Sequence, residues 1–459
     1  MKNFGKAAKP LGKSGDNMNE SAARAEILAK VREYCRNFHS QGGDWSAGER
    51  IAYSRRIYDG DEMTALVDSA LDFVLTADRY TEKFEELFAR YLGAKHCFFV
   101  NSGSSANLLA FMALTSPLLG ERAIKRGDEV LTVAASFPTT VAPILQFGAT
   151  PVFVDVSIPQ YNVDVTALEQ AYSPRMKAVF LAHTLGNPFD IAAVKAFCDR
   201  HCLWLIEDNC DALGSEYMGN AHTALTGVFG DISTASFYPP HHITTGEGGA
   251  VCTSDPLLAK IVRSVRDWGR DCSCPAGHDD LCGRRFQGQY GTLPADYDHK
   301  YVFSHFGYNL KATDMQGAIG CEQLKKLPRF IEKRRANFEY LYKLLKPLED
   351  KLILPQALPN SRPSWFGFPI TCREGVQRRK IVEYLESQNI QTRMLFSGNI
   401  LRHPCFDRVE KSSYRVAGGL KNTNIITERT FWLGVYPGLN ETHLRAMAKA
   451  LSEAVEVKI

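Results

Sequence analysis

Cys272, Cys274 and Cys282 fall within eleven residues, with the spacing C-x-C-x7-C. Three thiols so close together are poor core filler and good soft ligands, so zinc, an iron–sulfur cluster and redox chemistry compete for them. Structural zinc favours C-x2–4-C knuckles, which the one-residue gap fits poorly, although His278 offers a fourth ligand. A [2Fe–2S] cluster wants four thiolates, and Cys210 is the best fourth candidate. Just before Cys210, in IEDNCDALG (206–214), Asp208 follows an apolar run. A carboxylate buried there needs a charged or hydrogen-bonding partner. A protonated pyridine nitrogen would supply one, and so would a following turn that the Asp caps. In NSGSSANLLA (101–110), a helix starting near Ser104 or Ser105 presents free N–H groups that suit a phosphate, or simply carries a Ser N-cap. In SFYPPHHITTGEGGAV (236–251), Ser236 ends an apolar run and a Pro/Gly-flanked turn carries His241 and His242. Two histidines there suit catalysis as well as structure, and no GxGxxG fingerprint is present.

These residues need a scaffold that brings strand ends together. Short apolar runs occur at 96–100, 129–134, 151–156, 177–183, 203–208, 233–237 and 249–253, separated by helical patterns such as Ser105–Leu114, Val165–Ala171 and Ile191–Arg200. The alternation predicts an α/β fold with a mainly parallel sheet flanked by helices, and the runs are continuous because such strands are buried on both faces. Ligands bind such a sheet beyond the strand C-termini, where Asp208 and Ser236 stand. Helical spacing at 21–38 predicts an N-terminal helix, and Asp61–Leu92 reads as helix. Residues 270–300 have little periodicity and form a long loop of functional character. A helix follows from Asp314 to Leu345, broken or kinked at Pro328. Runs at 365–370, 391–396 and 431–437, with helices at Val376–Ser387 and Glu441–Val455, predict a smaller C-terminal α/β domain. The expected division is 1–60 (tail and helix), 61–330 (large domain) and 331–459 (small domain).

The chain has 459 residues and a net charge of +3, which argues against a nucleic-acid-binding face. Composition is that of a globular protein, and the length supports a core that needs no disulfide. No apolar run reaches eighteen residues, and the basic N-terminus lacks a secretory h-region, so no membrane span and a cytoplasmic location are expected. In a reducing compartment the 12 cysteines are thiols, most of them in the core.

Taken together, SGSSAN (102–107), EDNCDA (207–212), SFYPPHHITTGEGG (236–249) and GYNLKATDMQ (307–316) resemble the DegT/DnrJ/StrS sugar aminotransferases, over roughly residues 60–459. The resemblance implies the fold of the fold type I transferases dependent on pyridoxal phosphate. In that family a Lys stands where this chain has His241, and no Lys occurs between residues 231 and 259. This departure, with the added cysteines, is similar to one branch: iron–sulfur, pyridoxamine-phosphate (PMP)-dependent 3-dehydratases of nucleotide-linked 4-keto-6-deoxyhexoses. Their substrates are CDP-4-keto-6-deoxy-D-glucose, on the way to 3,6-dideoxyhexoses, or a dTDP-linked 2,6-dideoxy sugar.

The resemblance implies a role for each matching residue. Cys210, Cys272, Cys274 and Cys282 would hold a [2Fe–2S] cluster, with a gap of 61 residues after Cys210 that is a few longer than the branch's; the extra residues are expected in 217–227. His241, with an ordinary pKa of about 6.5, would act as base, and Asp208 would keep the ring nitrogen protonated. Ser104, Ser105 and Ser236 would bind the phosphate, Phe137 would stack on the ring, and His183 would lie near the ring substituent. Asn309 would reach the phosphate of a neighbouring subunit, which implies a homodimer, and Arg393 would touch the substrate. Loss of the C3 hydroxyl calls for two electrons from a separate flavin or iron–sulfur NAD(P)H reductase, since no flavin or nicotinamide fingerprint is visible. Arg284 and Arg285 either dock that partner or are simply solvated. Rival readings are a clusterless 3-dehydratase, a non-catalytic zinc-bearing regulator, and an ordinary aminotransferase, which would need a Schiff-base Lys.

Overall fold

The computed structural model describes residues 19–39, 48–219, 223–274 and 280–456. The basic tail at 1–18, part of the 217–227 segment, and His278 lie outside the described residues. In chain order the helices are α1 (Glu20–Phe38), α2 (Gly60–Ala70), α3 (Arg79–Leu92), α4 (Gly103–Ala113), α5 (Pro138–Phe147), α6 (Leu168–Ala171), α7 (Ile191–His201), α8 (Pro256–Arg266), α9 (Asp314–Leu345), α10 (Arg378–Ser387), α11 (Lys421–Arg429) and α12 (Glu441–Glu456). The main sheet uses β1 (His96–Val100), β2 (Glu129–Val133), β3 (Thr150–Val154), β4 (Met176–Ala182) and β5 (Trp204–Asp208). After the short β6 (Glu216–Met218) and β7 (Thr223–Leu225) it resumes with β8 (Ile232–Ser236) and β9 (Gly249–Thr253). The smaller unit holds β10 (Leu352–Ile353), β11 (Ser361–Arg362), β12 (Gly367–Cys372), β13 (Thr392–Arg393), β14 (Arg415–Val416) and β15 (Thr430–Gly434).

The eight-stranded sheet runs β1-β9-β8-β5-β4-β2-β3-β14. Only β9 is antiparallel to its neighbours, so the mainly parallel sheet expected from the continuous apolar runs is what forms. Every residue of β2, β3, β5, β8 and β9 is buried, and helices cover both faces. A second sheet, β10-β12-β15-β13, carries the smaller unit. β14 crosses back to pair with β3, and so ties this later segment to the main sheet.

Two helical expectations change. Residues 61–92 form two helices, because Phe73 and Leu75 take left-handed backbone angles (φ +58° each) in the turn between them. Pro328 does not break α9, which runs 32 residues. A mid-helix Pro costs about 3 kcal/mol. Along α9 the buried Leu324, Leu327, Phe330, Ile331, Phe338, Leu341 and Leu345 each return roughly 1.5–3 kcal/mol, which outweighs that loss. The expected boundary at 330/331 therefore falls inside one continuous helix. Among the described residues no helix is long and apolar enough to cross a membrane.

Candidate active site and thiol group

A cavity of about 510 Å³ opens at the C-terminal ends of β1, β4, β5 and β8 and is closed from above by Phe366, Arg393, Met394, Phe396 and Trp432. Ser104, Phe137, Asp208, Cys210, Ser236, His241 and Arg393 all line it. Its lining includes no lysine among the described residues, and Arg393 is the only arginine.

The floor is set by β5. Glu207 and Asp208 are both buried, and each is satisfied differently. Glu207 accepts from the backbone N–H groups of Gly227, Phe229 and Gly230, and pairs with His183 Nε2 at 3.0 Å. Asp208 Oδ2 accepts from Asn107 Nδ2 and Thr140 Oγ1, both at 2.8 Å, and Thr234 Oγ1 in turn steadies Asn107. Asp208 is thus aimed into the cavity by a hydrogen-bonded frame. A cationic ring nitrogen there would meet a carboxylate already held in place.

The phosphate-type cradle is α4. It begins at Gly103, one residue before Ser104, with Ser102 as N-cap, and Ser102 Oγ accepts from Ser105 N at 3.0 Å. Ser105 is therefore turned to the cap and does not line the cavity, whereas Ser104 does. Gly103 is required here, because a Cβ at that position would stand 2.5 Å from the Cβ of Ser236. The close approach brings the helix N-terminus and Ser236 to one point.

His241 stands in the turn after β8, with Nδ1 3.5 Å from Asp211 Oδ1. Burial, then the charge of Arg334, lowers its pKa to about 3. Burial, then the charge of Asp208, raises Asp211 to about 8. Both shifts favour the uncharged forms, neutral imidazole beside protonated carboxyl, although each side chain keeps a small exposed edge on the cavity. His241 Nδ1 and Asp211 Oδ2 lack hydrogen-bond partners among the described residues. Arg334, almost fully buried on α9, directs its guanidinium to the carbonyls of Pro240 and His241 on one side and of Trp365 and Phe366 on the other, at 3.2–3.4 Å. Sequence reasoning missed Asp211 and Arg334. The Asp in EDNCDA was visible as a second acid three residues after Asp208, but α9 gave no sign that Arg334 turns inward.

Three further residues named in the sequence stand as follows. His183 is fully buried; it faces Glu207, stacks on Phe189 (4.2 Å between centroids) and does not line the cavity. Its imidazole goes to the buried carboxylate because that carboxylate needs it. Asn309 is exposed outside this cavity and accepts from Lys311 Nζ. Arg393 lies over the Tyr53 ring at 4.1 Å.

Cys272, Cys274 and Cys282 come together, their sulfurs all within 4.8 Å of one another. Some burial raises Cys274, but the backbone N–H of Cys282 and the neighbouring thiols outweigh it and bring Cys274 below its ordinary value, which favours the ligating thiolate. Cys210 is not one of this group: it sits at the end of β5 beside Thr234. Cys272 and Cys274 line a groove beyond β1, and the three strand spacings from β1 to β5 amount to roughly 14 Å. Of the four cysteines expected together, three are grouped among the described residues and Cys210 stands apart from them. Behind the trio, His299 Nε2 pairs with Asp271 at 2.8 Å while Nδ1 lies 4.0 Å from Cys282 Sγ.

Comparison with known proteins agrees with this architecture. The DegT/DnrJ/EryC1/StrS aminotransferase family profile matches residues 58–452. The chain is 49% identical to the lipopolysaccharide biosynthesis protein RfbH of Salmonella typhimurium, over 95% of this chain and 99% of that one. It is also 49% identical to the dTDP-4-dehydro-2,6-dideoxy-D-glucose 3-dehydratase of Saccharopolyspora spinosa, over 94% and 92% of the two chains. The crystal structure of E coli GDP-4-keto-6-deoxy-D-mannose-3-dehydratase with bound hydrated PLP superposes with a TM-score of 0.77 at 30% identity, covering 88% of this chain and all of that one. The fold is that of the fold type I PLP-dependent transferases, and the chain belongs to the DegT/DnrJ/EryC1/StrS aminotransferase family.

Proposed function

We propose that the protein removes the C3 hydroxyl of a nucleotide-linked 4-keto-6-deoxyhexose, CDP-4-keto-6-deoxy-D-glucose, with PMP as cofactor and a [2Fe–2S] centre as electron carrier. One observation carries the reading: a lysine-free cavity in which Asp208, Ser104, Ser236, Phe137 and His241 face one space. A lysine would hold the cofactor covalently as an imine, whereas an imidazole cannot. Bound PMP would supply the amine that engages the C4 ketone and a ring that draws electrons from it.

The chain's own residues do the rest. Asp208 fixes the ring nitrogen as a cation, Ser104 and Ser236 hold the phosphate with the N-terminus of α4, and Phe137 covers the ring face. Neutral His241 accepts a proton at an imidazole nitrogen, with Asp211 beside Nδ1. Cys272, Cys274 and Cys282 supply three thiolates, and Cys210 stands as the proposed fourth, brought by a rearrangement or a second subunit. Electrons would come from a flavin or iron–sulfur NAD(P)H reductase. The exposure of Asn309 outside its own cavity supports a homodimer in which it serves the neighbour. The name of the S. spinosa relative favours a second reading, a dTDP-linked 4-keto-2,6-dideoxyhexose substrate.

The test is anaerobic purification with iron, sulfide and zinc analysis, followed by incubation with PMP, a reductant and each nucleotide sugar. Iron and sulfide in equal amounts with C3 deoxygenation of either sugar supports the reading. Turnover without iron leaves the clusterless 3-dehydratase. Zinc with no turnover, or cofactor covalently bound as an imine, overturns it.

A further inference from the structure

The cavity that takes the cofactor has no place for a diphosphate. Its floor carries the carboxyls of Asp208 and Asp211, and Arg393 is its only arginine or lysine among the described lining residues. A nucleotide sugar brings two more phosphates, which need cations that the cavity, with its Asp208 carboxylate, supplies only through Arg393.

A second compartment, of about 530 Å³, adjoins the first and shares Tyr53, Tyr238 and Pro240 with it. Its remaining lining is Ser54, Arg55, Arg56, Tyr58 and Pro239. Each compartment falls within the size range of small-molecule sites. Ser54 Oγ donates to Pro240 O at 3.0 Å, and this fixes the 53–58 segment to the turn that carries His241. Arg393 lies over one side of Tyr53, so cations follow one another from the cavity mouth into the groove. Arg55 and Arg56 are exposed and have no carboxylate within salt-bridge distance among the described residues, unlike Arg24, Arg79, Arg266 and Arg335. Arginine forks suit phosphate oxygens, and the tyrosine rings offer stacking faces to a base.

We propose that the groove formed by Tyr53, Arg55, Arg56, Tyr58 and Tyr238 is the subsite for the nucleoside diphosphate of the substrate, with Arg55 and Arg56 on its phosphates. The proposal rests on the nucleotide-sugar reading and extends it: the hexose enters the cavity past Tyr53, while the nucleotide stays in the groove. The groove's chemistry is shared by CDP, dTDP and GDP, which form the arms of the test.

The experiment titrates CDP, dTDP, GDP and inorganic pyrophosphate into the full-length protein by calorimetry, with and without PMP, and repeats the titrations with Arg55→Gln, Arg56→Gln and the exposed control Arg379→Gln. Each groove variant should weaken binding of the preferred nucleoside diphosphate by about tenfold to a hundredfold, and wild-type binding should weaken as salt rises. With the sugar as substrate, KM should rise by a similar factor while kcat moves less than threefold. Arg379→Gln should match wild type. Nucleotide binding within twofold of wild type in both groove variants, or a fall in kcat with KM unchanged, overturns the subsite. Nucleotide binding that depends on the arginines, with no turnover of any sugar, leaves the subsite standing and sinks the dehydratase reading instead.

Discussion

The cofactor cavity and the thiol loop are two candidate sites built in opposite ways. The polar groups on the cavity floor are each held by buried neighbours: Asp208 by Asn107 and Thr140, Ser236 by Gly103, His241 by the turn under Arg334. Among its described residues the thiol loop has no strand. It is shaped by the pairs Arg285–Asp298 and His299–Asp271, both 2.8 Å, and by Tyr290 stacked on His299 at 4.7 Å. It and its return segment expose Leu281, Phe286, Tyr301, Phe303 and Phe306. The cavity is thus set by the core, whereas the loop is held by a few polar pairs and leaves its thiols and apolar side chains at the surface.

The largest effect that would break this contrast lies in the cavity. His241→Asn should lower turnover by about 10²–10⁴-fold while PMP binding, followed by its absorbance, stays within threefold of wild type. Turnover near the wild-type rate would remove the base assignment. Cys274→Ser comes next: iron content should fall to background while cofactor affinity is unchanged, because Cys274 does not line the cavity. Loss of both together would show that the loop and the cavity fold as one unit. Arg334→Met should lower the midpoint of thermal unfolding and kcat together, since it removes the guanidinium from which four carbonyls accept. Arg334→Lys should recover part of each. A Met variant with full activity would mean that the turn holds His241 unaided.

The same contrast explains what was legible in the sequence. The sheet could be read because strands buried on both faces leave continuous apolar runs, and Asp208, Ser236 and His241 could be placed because they end those runs. The C-x-C-x7-C trio could be read because its partners are neighbours in sequence. Side chains that act across long separations stayed hidden. Arg334 reaches the His241 turn from another helix, Glu207 draws His183 away from the cavity, and nothing in the spacing separates Cys210 from the trio. A break at Pro328 does not occur and the turn at Phe73–Leu75 was missed, because local propensity gave no measure of the packing along α9, nor of a left-handed turn inside a helical pattern.

The smallest expected effect tests how dry the cavity floor is. Asp211 has a folded pKa of about 8 against an ordinary 3.8, so the folded chain keeps a proton that the unfolded chain gives up, and this contribution erodes stability as pH rises from about 4 to 8. His241 has the opposite sign. Its folded value of about 3 lies below the ordinary 6.5, so its contribution rises with pH up to about 6.5 and is flat above. Between pH 6.5 and 8 only the Asp211 slope remains of the two. Wild-type protein without cofactor should therefore lose urea resistance across that interval relative to Asp211→Asn, and the two midpoints should diverge steadily with pH. Parallel midpoints would mean that water reaches the floor and Asp211 is ionised at neutral pH; His241 would then work beside a carboxylate, as a stronger base than the closed pair allows.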